Sequence, residues 1–177
     1  MFMRIGITLA CLLLAGCDGT ADGKGTRIDG YELIRIARQN PYGCSGYDPV
    51  SDTCSSLSTM TPDGATFYSQ GKVLFPADPP IEVTGGMRFI MTADGRLCGY
   101  GDKPRARATG GTADQRKAAE AVIKGSFEAF RLLCSTFYER DDGQIYSLMT
   151  DADGRSVPIG EEIVYFFDRP KTLRPAF

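Results

Sequence analysis

The 177-residue chain contains no histidine. That removes the commonest general base and with it the Ser-His and Cys-His nucleophile pairs, so an enzyme on this chain would need carboxylate or lysine chemistry. Its six cysteines include no Cys-x-x-Cys pair, and without imidazoles a thiolate metal site has no framework. No metal or other cofactor is implied. The glycines are scattered in turns rather than grouped between a strand and a helix, which leaves no nucleotide-binding motif. Charge of one sign is lacking too: 20 basic and 22 acidic side chains leave a formal charge of −2, which argues against nucleic acid as a partner. A membrane-spanning run is also missing. The main apolar stretch, Ile5 to Leu14, falls well short of the roughly 20 residues that cross a bilayer as a helix.

What that stretch does have is context. Arg4 places a positive charge before it, and Ala15 and Gly16 after it are small enough for a peptidase pocket, the order of an export signal. Leu14-Ala15-Gly16-Cys17 resembles the lipobox of bacterial lipoproteins, in which a Leu and two small residues precede a cut at the Cys. The resemblance covers residues 1–17 only. It implies a diacylglyceryl group on the Cys17 sulfur, removal of residues 1–16, and a domain held at a membrane outside the cytoplasm, on the periplasmic side in a Gram-negative cell. Two or three acyl chains, at about 0.8 kcal/mol per buried methylene, make such an anchor firm. Asp18 after the cysteine tends to favour the inner membrane in enterobacterial members of the class.

Residues 17–30 then read as a tether. Gly19, Gly23, Gly25 and Gly30 are spaced among Thr, Asp and Lys, and thirteen such residues reach roughly 20 Å as a random coil. Residues 31–177 are expected to form one disulfide-stapled domain, since their number suits a single core.

Along that domain, Asp29 with Glu32 suggests a helix start, the stripe Leu33, Ile34, Ile36 and Ala37 continues it, and Asn40-Pro41 stops it. Residues 41–64 are rich in Pro, Gly and Ser and read as irregular. Thr66 to Phe75 suggests a short hairpin about Gln70-Gly71, and Met87 to Tyr100 a second about Asp94-Gly95. Thr112 with Gln115 forms a capping box for a helix running to about Cys134, striped by Ala119, Ile123, Phe127 and Phe130. Three strands are expected after it, broken by Asp142-Gly143 and Asp153-Gly154, with Ile163 to Phe167 apolar on both faces as in a covered strand. Met91 to Arg96 and Met149 to Arg155 are nearly the same words, which a duplication and two separate uses of a favourable turn explain equally well. The fold expected is α+β: an antiparallel sheet of about five or six strands, the long helix on one face, a shorter N-terminal helix beside it.

Cys11 leaves with the signal and Cys17 takes the lipid, so Cys44, Cys54, Cys98 and Cys134 remain. In an oxidising compartment an even number reads as disulfides. Cys44 with Cys54 would staple the irregular loop. Cys98 with Cys134 would join a strand to the buried stripe of the long helix.

Lys103, Arg105 and Arg107 alternate, so an extended backbone projects them to one side. With the helix N-terminus at Thr112 they are the candidate contact for an anion or for an acidic patch on a partner. Tyr42 and Tyr47 on the stapled loop are either contact residues or packed under their own disulfide. Asp151, Asp153 and Glu162 fall at positions 1, 3 and 12 of a calcium loop, but Ser156 stands where that loop needs glycine. No catalytic residue emerges. The function expected is a membrane-anchored binding or assembly lipoprotein for an envelope protein, with binding of an anionic envelope ligand and then envelope hydrolysis as the alternatives.

Overall fold

The computed structural model describes residues 25–100, 105–129 and 132–176. Cys17 and Lys103 lie outside them.

The fold is a closed antiparallel β-barrel, not a helix laid on an open sheet. After the two-residue β1 (Thr26–Arg27) and helix α1 (Gly30–Gln39) come β2 (Tyr42–Ser45), β3 (Thr53–Cys54), β4 (Ser56–Asp63), β5 (Thr66–Phe75), β6 (Ile81–Met91) and β7 (Leu97–Tyr100). An excursion of β8 (Arg105–Thr109) and α2 (Ala113–Glu128) precedes β9 (Leu132–Glu139), β10 (Ile145–Thr150), β11 (Ser156–Phe167) and β12 (Thr172–Leu173). Strands β2, β4, β5, β6, β7, β9, β10 and β11 each pair with the next in chain order, and β11 returns to β2, so the ring closes with eight strands. β8 adds to the free stretch of β6, and β12 pairs with β3.

Several sequence expectations are corrected here. Thr66 to Phe75 is one strand that pairs without a break along both β4 and β6, and Gln70-Gly71 is no turn. Residues 41–64 contain three strands. The long helix ends at Glu128, and Cys134 sits on β9. Lys103's neighbours Arg105 and Arg107 belong to strand β8, not to a loop.

The three Asp-Gly turns and both helix caps are present. Gly95, Gly143 and Gly154 hold φ near +78°, the left-handed conformation that glycine takes at no steric cost, and each closes a tight hairpin. Asp29 accepts from the Glu32 amide at 2.9 Å, and Thr112 with Gln115 forms a reciprocal capping box.

The core has two inner parts. At one end α1 plugs the barrel: Leu33 and Ala37 pack with Ile28, Met60, Phe67, Leu97 and Phe137, all buried. At the other end α2 covers the inner face of the β6–β8 extension, where Ala119 and Ile123 meet Ile81, Val83 and Ala108. A third cluster lies outside the barrel wall, around the Cys44–Cys54 disulfide. Cys98 and Cys134 are directly opposed on β7 and β9 and form the other disulfide. That connectivity is the expected one, although its partner element is a strand rather than the helix.

Leu33 is fully buried, so Leu33→Ala should cost about 2–5 kcal/mol, lost transfer energy plus the cavity left in the plug. Tyr31, two residues away on the opposite side of the helix and 88% exposed, should change stability by less than about 0.5 kcal/mol when replaced by Ala. Denaturant unfolding of the two variants measures the difference, and equal costs would show that α1 is not a plug.

Candidate functional site

Strand alternation sorts the side chains of β5, β6 and β8 onto two faces. Phe67, paired with Phe89, points into the plug; their neighbours Tyr68 and Arg88, also paired, therefore point out. The β6–β8 register places Thr84 opposite Arg107 and Gly86 opposite Arg105 on that same outer face. The two β8 arginines do project to one side, as their spacing predicts. The structure adds a third that spacing could not show, because Arg88 lies on a different strand.

Together these residues line an open groove of about 1110 Å³. Its apolar contacts are Tyr68 and Ile90, 51% and 45% exposed, and its floor is thinned by Gly85 and Gly86, which present no side chain. Arg88, Arg105 and Arg107 are all exposed, and among the described residues none of their guanidinium groups makes a hydrogen bond or an ion pair. Unpaired guanidinium forks around exposed tyrosine and isoleucine suit a ligand that brings its own carboxylates or phosphates. The nearby acid, Glu82, is already held by Lys72 at 3.1 Å.

Thr112 does not join this group. Its hydroxyl accepts from the Gln115 amide, the Gln115 side chain takes the Thr112 amide at 2.7 Å, and Arg116 ties the Gly110 and Gly111 carbonyls. The N-terminus of α2 is thus capped by the chain itself.

The calcium-loop residues are also separated. Asp151 accepts the backbone amides of Asp153 and Arg155, both at 2.9 Å, and Asp153 pairs with Arg155 at 2.7 Å, which is turn chemistry. Glu162 lies along β11, and no cluster of three or more metal-ligating side chains occurs among the described residues. Burial pushes the Glu162 carboxyl above its ordinary range, opposed by a hydrogen bond with Ser45.

The tyrosines of the stapled loop are packed rather than presented. Tyr47 lies 5.2 Å from Tyr165 and 5.0 Å from Phe167, ring centre to ring centre, over the Cys44–Cys54 bridge. The C-terminal strap closes this cluster. Lys171 sits 4.4 Å above the Phe167 ring and 2.7 Å from Asp52, and Tyr47 donates to the same carboxylate. Arg174 donates to the Gly46 carbonyl at 2.9 Å.

Against protein families, curated proteins and solved structures, the chain matches no family model, no curated protein and no solved structure.

The Lys171 and Tyr47 hydrogen bonds hold the Asp52 carboxyl below the usual carboxylate range. A depressed folded value means that the clasp stabilises the strap above the unfolded carboxylate range and is lost as pH falls through the folded one. The amide resonances of Thr172 and Leu173 should therefore move toward random-coil positions on acidification, and in Lys171→Met should be displaced at neutral pH already. Resonances that ignore both changes would show that the strap does not depend on this pair.

Proposed function

We propose that the protein is an exported lipoprotein, fastened through Cys17, that works as a binding module by docking an acidic segment of another envelope protein in the outer groove. The observation that carries the reading is the convergence of Arg88, Arg105 and Arg107, exposed and unpaired, beside Tyr68 and Ile90. Arginine and tyrosine are the side chains that most often supply binding energy at protein interfaces. The groove is open and lined from β5, β6, β7 and β8, so it has room for an extended segment rather than only a compact ion. The partner's carboxylates pair with the guanidiniums, and its apolar residues cover Tyr68 and Ile90.

The anchor supports the same reading. Outer positions of the barrel carry Lys72, Glu82, Arg88, Arg105 and Arg107. A membrane-inserted barrel turns an apolar band outward, and each Lys or Arg facing lipid at mid-depth costs about 2–4 kcal/mol. A domain with this outer face works beside a bilayer, where a lipid on Cys17 would hold it.

Two substitutions separate the halves of the proposal. Cys17→Ser should leave the domain folded but release it from salt-washed membranes; a variant that stays with the membranes refutes the lipid. Reversing the groove, in Arg88→Glu/Arg105→Glu/Arg107→Glu, should leave the protein membrane-bound yet weaken capture of its crosslinked partner at least tenfold. Capture undiminished by that reversal, or crosslinks that map elsewhere, would refute the groove.

A further inference from the structure

Strand β8 has two edges, and the sheet uses one of them. Its pairing with β6 runs from Glu82↔Thr109 to Gly86↔Arg105, and among the described residues no strand lies along its other side. β9 fills that lane beside β7, but β9 begins at Leu132, opposite Tyr100, and the element before it is helix α2.

One contact fixes which way each amide of β8 points. Ala108 donates its N–H to the Glu120 carboxylate at 2.9 Å, so it does not donate to β6. Bonded residues alternate along an antiparallel ladder. Arg105, Arg107 and Thr109 therefore bond to β6, while the N–H and C=O of Ala106 and the C=O of Ala108 face the other edge. Among the described residues Ala106 has no partner on that side. Glu120 of α2 thus covers the edge at Ala108 and leaves it open at Ala106. An unpaired edge is a template for another strand.

The charges around this edge select what pairs there. Arg105 and Arg107 flank Ala106 on the outer face, both exposed. On α2, Lys117 and Lys124 lie three residues before and four after Glu120, so they share the helix face that carries Glu120 to the edge. A second copy of the chain pairing about its own Ala106 would oppose Arg105 of each molecule to Arg107 of the other, and like charges directly opposed are destabilising. A strand with carboxylates at those two positions meets the opposite charge instead.

We propose that the free edge of β8 takes up the partner's acidic segment as an added antiparallel strand, in an acid-x-acid register about Ala106. This rests on the groove reading for the charge of the segment and supplies its mode of attachment. The middle residue exchanges both backbone hydrogen bonds with Ala106 and faces α2, as the Ala106 side chain does. The acids on either side oppose Arg105 and Arg107 at non-hydrogen-bonded positions, where Cα atoms stand about 4.5 Å apart and side chains come closest. Main-chain bonds then give affinity, and the alternate side chains give specificity.

The test follows backbone amide exchange of the full-length protein in mild-detergent micelles as the peptide acetyl-Thr-Glu-Val-Glu-Thr-amide is added. A saturable slowing of exchange at the Ala106 amide is expected, with shifts at Arg105 and Arg107. The same peptide N-methylated on its valine loses the donor aimed at the Ala106 carbonyl and should bind about tenfold more weakly. N-methylated instead on its second glutamate, whose amide points away from β8, it should bind as the parent does. Response at Tyr68 and Arg88 with Ala106 exchange unchanged would overturn the added strand and leave the groove reading standing. Equal affinity of the two methylated peptides, or no saturable response to the parent peptide, would overturn it too. So would protection of Ala106 that rises with protein concentration alone, the mark of a second copy on the edge. The groove reading fails on a different measurement, partner capture that survives reversal of the three arginines.

Discussion

Closure of the ring rests on the pairing of β7 with β9. Six of the eight junctions join strands that follow one another along the chain, with only the two-residue β3 between β2 and β4, and a seventh brings β11 back to β2, whereas β7 and β9 are separated by the whole β8–α2 excursion. The junction is short, four residues from Leu97↔Ser135 to Tyr100↔Leu132. Without it the sheet would have two free edges, and open edges are templates for unwanted pairing. Cys98 and Cys134 are the directly opposed pair within it, 36 positions apart in sequence. Cross-linking a loop of that length restricts the unfolded chain by roughly 3–4 kcal/mol. The disulfide lies on the outward parity, since Leu97 and Ser135 face in, so the staple occupies none of the interior.

Given closure, the remaining architecture follows from what the interior must hold. A closed eight-stranded wall leaves an end that either admits water or is stoppered, and α1, with Leu33 and Ala37 on one face, is the stopper. The β6 strand outlasts its pairing with β7, which covers only Ile90 and Met91. Its exposed edge from Glu82 to Gly86 would be a second template for aggregation, and β8 covers it. Helix α2 then buries the inner apolar face of that extension, while Glu120 accepts the Ala108 amide at 2.9 Å on the far edge of β8.

Local signals were legible in the sequence, and the global topology was not. The caps at Asp29 and Thr112 and the Asp-Gly turns at 94, 142 and 153 depend on residues a few positions apart, so their chemistry can be read directly. The barrel was hidden by its own lumen. In Ser56-Leu57-Ser58-Thr59-Met60 the inward residues are mostly hydroxyls, and the apolar Leu57 points out, beneath the Cys44–Cys54 cluster. Alternation is present, but with the usual polarity reversed, and a run of serines with Pro62 and Gly64 resembles a loop. Gly71 resembled a turn residue for the same reason: it is inward-facing, where the wall needs no side chain. Of the groove, Arg105 and Arg107 were readable because they share a strand. Arg88 and Tyr68 required the β5–β6 and β6–β8 registers, which no short-range pattern encodes.

The plug also sets how the molecule would stand on a membrane. The described chain begins at the stoppered end: β1 pairs Thr26 with Glu139 and Arg27 with Tyr138, and Arg27 reaches the Asp94 turn. The β6–β7 and β9–β10 turns, at Asp94-Gly95 and Asp142-Gly143, lie at that same end. Cys17 lies eight positions before Gly25, so a lipid there, as proposed, would hold the plugged end within about 29 Å of the bilayer.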